Sequence, residues 1–182
     1  RIVAGGVMPL EGVAEPPTAT VVSLPLSLNQ VHLRSGRLPA PRARDEAVVS
    51  DAFAIARDIG VGDVVPLILG GIRKEVHIVG IGLSPEHILM LAPGQLAMDP
   101  GRQGVLFMDR GAVEAALRLE GAFNSVSLRL QNDARVHDVI DRVDAVIAPY
   151  GGIGAITRDK QLSNSRLSPE LDQLGNLSLI PI

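Results

Sequence analysis

Residues 45–81, DEAVVSDAFAIARDIGVGDVVPLILGGIRKEVHIVGI, constrain the fold more than any other part of the chain. An acidic pair opens an apolar run, and Phe53, Ala56 and Ile59 then recur at helical spacing. Gly60 suits the helix stop, and VVPLIL and IRKEVHIVGIGL flank the tight Gly70-Gly71 turn. Strand 46–50, helix 51–60, strand 64–69 and strand 72–83 follow from that order.

Around this unit the patterning is more open. RIVAGGV and TATVVSLPL read as strands joined through the Gly- and Pro-bearing EGVAEPP. Residues 28–44 hold Arg34, Arg37, Arg42 and Arg44 with no acid, and read as a loop or linker. VLFMD (105–109) is a strand leading into a helix over 111–121, GAVEAALRLEG. AFNSVSLRL (122–130) alternates like a strand with one wet face. Val136, Val139, Ile140, Val143, Val146 and Ile147 form one stripe of a helix opened by Asp133. IGAITR (153–158) completes a β-α-β unit, and Pro169 opens a last helix. No internal repeat stands out. The fold class expected is α+β and two-lobed. A porter-like β-α-β lobe takes 1–30 and 122–182, and a small inserted α+β lobe takes 31–121.

Composition bears on function mainly by exclusion. A net charge of −3 with both signs interspersed offers no basic face for nucleic acid and no polybasic membrane segment. With no Trp, one Tyr and three Phe, the core must be aliphatic, and the lack of cysteine removes thiolate chemistry and cysteine metal sites. His32, His77, His87 and His137 lack metal-ligand spacing and read as solvated surface histidines. In YGGIGA (150–155) the glycines follow a helix and precede a β-type element, the reverse of a dinucleotide turn, so they read as a helix stop. No serine sits in a nucleophile elbow. Asp45-Glu46 reads as a guard on a strand entry, and Asp141 with Asp144 as the wet face of a helix. No catalytic, metal or cofactor-binding residue is assigned. A hydrolase built from distant acids would need a cleft with strongly shifted carboxylates.

The loop SPEHILMLAPGQLAMDPG (84–101) resists this bland reading, because its apolar residues sit among loop formers. They either plug a core or form a patch for a partner or lipid chain. In the second case Ile88, Leu89, Met90 and Leu91 are the partner or cargo surface, and Met90→Asp abolishes coupling without unfolding the chain. The chain opens on Arg1 and closes on the apolar LGNLSLIPI, which reads as a piece of a longer protein.

SGRLP (35–39), DEAVVSDAFA (45–54), VGD (61–63) and EVHIVGIGLSPE (75–86) together resemble the extracytoplasmic domain of FtsX-like ABC-transporter permeases of the MacB type. GAFNSVSLRL, the amphipathic helix and SPELDQLGNL follow in similar order, while Pro181 and the 84–101 loop depart from the pattern. The resemblance implies a non-enzymatic domain on the outer, periplasmic side of a bacterial cytoplasmic membrane, lying between two membrane helices of a dimeric permease. It implies ATP hydrolysis on a separate cytoplasmic ATPase. The domain would transmit that motion to a periplasmic partner protein or an amphiphilic, lipidated cargo. The alternative is a secreted ligand- or partner-binding α+β module without membrane attachment.

Overall fold

The computed structural model describes residues 1–87 and 99–160. Among them are strands β1 (Val3–Val7), β2 (Thr18–Leu24), β3 (His32–Gly36), β4 (Glu46–Ser50), β5 (Val64–Leu69), β6 (Ile72–Leu83) and β7 (Gln103–Asp109). The α-helices are α1 (Asp51–Arg57), α2 (Arg110–Leu117) and α3 (Val136–Ile147). The class is mixed α+β, as expected. Contacts divide the chain into one unit over Arg1–Ser127 and a second over Leu128–Ile182.

The first unit is a closed barrel of six strands. The sheet runs β3-β6-β4-β7-β2-β1-β5, and β5 pairs back onto β6 to complete the ring. Closure depends on a narrow seam where Gly6 faces Leu69 and Val7 faces Ile68. A Cβ on Gly6 would lie 2.9 Å from the Ile68 carbonyl oxygen, so the seam admits no side chain there. The first half of β6 pairs with β5, and its second half carries β3 on the same edge.

Strand register explains which apolar residues fill the barrel. Val21, Leu106 and Val49 lie side by side across β2, β7 and β4 and face inward with Val65, Leu67, Val76 and Ile78. Val22, Phe107 and Val48 are aligned on the opposite face and are also buried, against Leu24, Leu26 and Val31. Those three strands therefore have two dry faces, which is why their sequences run apolar without alternation.

Because β4 and β7 are antiparallel, the helices that leave their C-terminal ends close opposite mouths of the barrel. Phe53 and Ala54 of α1 and Ala112, Val113 and Ala116 of α2 join the interior cluster. Both helices end alike, with Asp58 and Arg118 in the left-handed region. The next amides, on Ile59 and Leu119, bond to the Ala54 and Glu114 carbonyls. Ile59 and Leu119 then fold back onto the core, completing the Schellman arrangement. The stop thus falls on Asp58 and not on the expected Gly60.

The pairing scheme contains a repeat that is not visible in the sequence. In β4-α1-β5-β6 a strand and helix lead to a hairpin whose second strand lies parallel to the first. The same scheme recurs as β7-α2 followed by β1-β2, with β2 parallel to β7. The second copy is split between the two ends of the chain, so no contiguous stretch displays it.

Several expectations are corrected. Within 28–44 lies β3, whose five residues are all exposed and which is defined by its partner β6 more than by its own pattern. Residues 122–130 and 153–158 form no strand, so 122–158 is not a β-α-β unit. The first stretch has no ladder partner, and Asn124 instead exchanges two side-chain bonds with the Val3 backbone, at 2.9 and 2.8 Å. Strands β1 and β2 are staves of the barrel with β4–β7. In the second unit α3 is present, but it starts at Val136 behind Arg135, without a side-chain cap from Asp133. Gly151 ends its 3-10 extension in the left-handed region, as expected of YGGIGA. The helix expected from Pro169 lies outside the described residues.

Candidate functional site

The stretches that carry the family resemblance interlock. Arg37 of SGRLP pairs through both terminal nitrogens with the Glu46 carboxylate at the entry of β4. Glu46 also accepts the Ala40 amide at 2.8 Å, which folds the proline-bearing loop onto the strand. These bonds pull the Glu46 carboxyl down to about 2, the Arg37 hydrogen bond first among them. The Arg37 amide bonds to Val79, and Gly62 and Asp63 of the VGD turn bond to Ile78, both within β6. Residues that carry the resemblance in the sequence are therefore joints of the barrel.

Beyond β6, the start of the 84–101 loop is pinned to the outer face of the barrel. Ser84 donates to the Asn29 carbonyl at 3.2 Å, and the Asn29 amide donates to Glu86 at 3.1 Å. The Arg1 guanidinium grips both Glu86 oxygens and reaches Ser125 Oγ through Nε at 3.0 Å. Burial alone would raise the Glu86 carboxyl, but Arg1 and Asn29 outweigh it and hold it below its ordinary value. His87 lies against Phe107 with ring centroids 6.1 Å apart, and its Nε2 is shut off from solvent with no hydrogen-bond partner among the described residues. Burial pushes its pKa down, so the solvated-surface reading fails for this histidine. At the other end of the loop, Arg57 Nε bonds to Gly101 O at 2.6 Å. Ile88, Leu89, Met90 and Leu91, the expected partner surface, lie outside the described residues.

Two cavities open on the barrel unit beside the segment 24–28. One, of about 250 Å³, is lined by Arg1, Arg110, Ser27, Ser125, Ser127 and Phe123 among others. The second, of about 450 Å³, has mainly apolar walls that include Leu26, Val31, Leu38, Pro39 and Pro41. Pro25 and Leu26 line both. No sequence spacing announces these cavities, because their walls come from five separated stretches.

In the second unit, α3 presents its apolar stripe without a buried residue. Val136 and Val146 are exposed, as are Tyr150, Ile153 and Ile156 beyond the helix.

Among the described residues no group of three His, Cys, Asp or Glu side chains is placed to hold a metal ion. Nor is any helix there long and apolar enough to cross a membrane. No family model matches the chain, and no curated protein matches it.

Proposed function

We propose that this chain is an extracytoplasmic domain of an FtsX-like ABC permease, passing ATP-driven motion from a cytoplasmic ATPase to a periplasmic partner or an amphiphilic cargo. The observation that carries the reading is the interlocking of SGRLP, DEAVVSDAFA, VGD and EVHIVGIGLSPE around β4 and β6. Motifs with a mechanical purpose belong at joints, and these four stretches meet there. A barrel stoppered at both ends is stiff, which suits a lever, since coupling needs a body that moves as a unit between two states. In this reading the domain carries no catalytic group of its own. In the full-length permease the domain stands on the outer side of the cytoplasmic membrane, in a dimer.

The test uses the absence of cysteine from residues 1–182. Ile55 is 74% exposed, so Ile55→Cys in the full-length protein places an accessible thiol on this domain, and the unsubstituted full-length protein is the labelling control. Labelling by a membrane-impermeant maleimide in intact spheroplasts, with the protein held in the membrane fraction, is the expected result. Labelling only after lysis overturns the permease reading. Recovery as a soluble periplasmic or secreted protein overturns it in favour of a free ligand-binding module.

A further inference from the structure

The two cavities beside 24–28 differ in chemistry yet share a wall. The smaller has two arginines and three serines among its lining residues and no Asp or Glu. Arg110 spends Nε on Glu114 at 2.7 Å and Nη2 on the Ala122 carbonyl at 3.1 Å, leaving Nη1 with no partner among the described residues. Ser27 and Ser127 likewise keep their hydroxyls free of any described partner. Both guanidinium groups are ion-paired, Arg1 with Glu86 and Arg110 with Glu114, so what the lining offers is hydrogen-bond donors, the Arg110 Nη1 and the serine hydroxyls, and these are complementary to an oxyanion.

The larger cavity falls within the usual size range of small-ligand sites, roughly 300–1,000 Å³. Its walls are chiefly leucine, valine and proline, which favour hydrocarbon. The polar groups there are Gln30 and Asp109. Asp109 turns one oxygen to the Gly111 amide and the other to the Arg42 amide, so its carboxylate is occupied in holding α2 and the proline loop. A chain laid across Pro25 and Leu26 joins the two spaces.

We propose that this surface binds a single-chain anionic amphiphile, its oxyanion in the Arg110–Ser27–Ser127 cavity and its hydrocarbon against Leu26, Val31 and Leu38. The site gives the amphiphile of the proposed function a binding surface made of residues other than Ile88–Leu91. It rests on that reading for its biological role but not for its chemistry. Binding is read on this chain alone and topology on the full-length protein, so the two fail separately.

The experiment titrates the chain with decyl phosphate below its micellar concentration, with inorganic phosphate, and with decyltrimethylammonium, by calorimetry. Ser127 and Leu38 are both exposed, so Ser127→Asp and Leu38→Asp leave the barrel folded, as checked by circular dichroism. Decyl phosphate is expected to bind saturably and at least about tenfold more tightly than either other probe. Ser127→Asp should weaken decyl phosphate and inorganic phosphate alike, whereas Leu38→Asp should weaken decyl phosphate alone. Absence of saturable binding overturns the proposal. So does equal affinity for the cationic amphiphile, equal affinity for inorganic phosphate, or indifference of decyl phosphate to either folded variant.

Discussion

Helices α2 and α3 are both amphipathic, and α3 is the longer, with the more regular stripe. Yet α2 buries Ala112, Val113 and Ala116 in the mouth of the barrel, while α3 buries no residue. The difference lies in what each meets. Helix α2 leaves β7 directly and lands on an interior already walled by β2 and β7. Residues 122–130 and 153–158, the stretches flanking α3, make no ladder that would give it a sheet to cover. Amphipathicity specifies a face, but tertiary structure must supply the surface that dries it.

The sharpest way to break this comparison is to truncate one residue on a helix that stoppers the barrel and one on α3. Phe53→Ala, which removes the largest plug of the α1 mouth, is expected to cost about 3–5 kcal/mol in urea unfolding. Val146→Ala, at a position 68% exposed on α3, should change stability by no more than about 0.5 kcal/mol. Similar losses from the two would mean that α3 is covered in solution.

Gly70 sharpens the barrel side. It stands at φ +59°, and a Cβ there would lie 2.5 Å from the Ala116 carbonyl of α2. Gly70→Ala should cost about 1–3 kcal/mol and lower the thermal midpoint, with the strain falling where α2 meets the β5–β6 turn. A neutral substitution would show that this end of the barrel yields easily.

Titration effects are expected to be smaller. The neutral form of His87 is favoured by burial, so the unfolded chain binds its proton at higher pH than the folded one. Stability should fall as pH drops below the ordinary value near 6.5, down to the depressed folded pKa. His87→Phe should flatten the thermal midpoint across that window, and parallel curves for the two proteins would sink the assignment. For Glu46 the folded pKa is depressed to about 2, so its contribution is present above the ordinary 4.5 and is lost as pH falls toward 2. Glu46→Gln should remove that acid limb. The effect is expected to be small, because Arg37 is 55% exposed and water screens the pair.

Local order was legible to the extent that short-range physics sets it. Strands β4, β5 and β6 and helices α1 and α2 lie where periodicity, Gly-Gly and the acidic entries place them, because a hairpin turn and a helical stripe involve neighbours in sequence. AFNSVSLRL shows the limit of that reasoning. Its alternation suits a strand, but a strand needs a continuing ladder, and here the Asn124 and Ser125 amides share the single Arg1 carbonyl while the Asn124 side chain binds Val3. HLRSG shows the converse, an unpromising sequence made a strand by the free edge of β6.

The candidate site was less legible still. Ser27, Arg110 and Ser127 come from a loop, a helix start and an unpaired extended stretch, and only the closed barrel brings them to one cavity. The buried setting of His87 was equally hidden, since it depends on Phe107, twenty positions away on β7. By itself the sequence determined the α+β class, the aliphatic core and the individual strands and helices around β4–β6. Tertiary structure alone decided that six strands close into a barrel, that two helices stopper it and that its second half is assembled from both ends of the chain. Ring closure pairs β1 with β5 and β4 with β7 across long stretches of chain, and residue periodicity records which face is dry without recording which partner dries it.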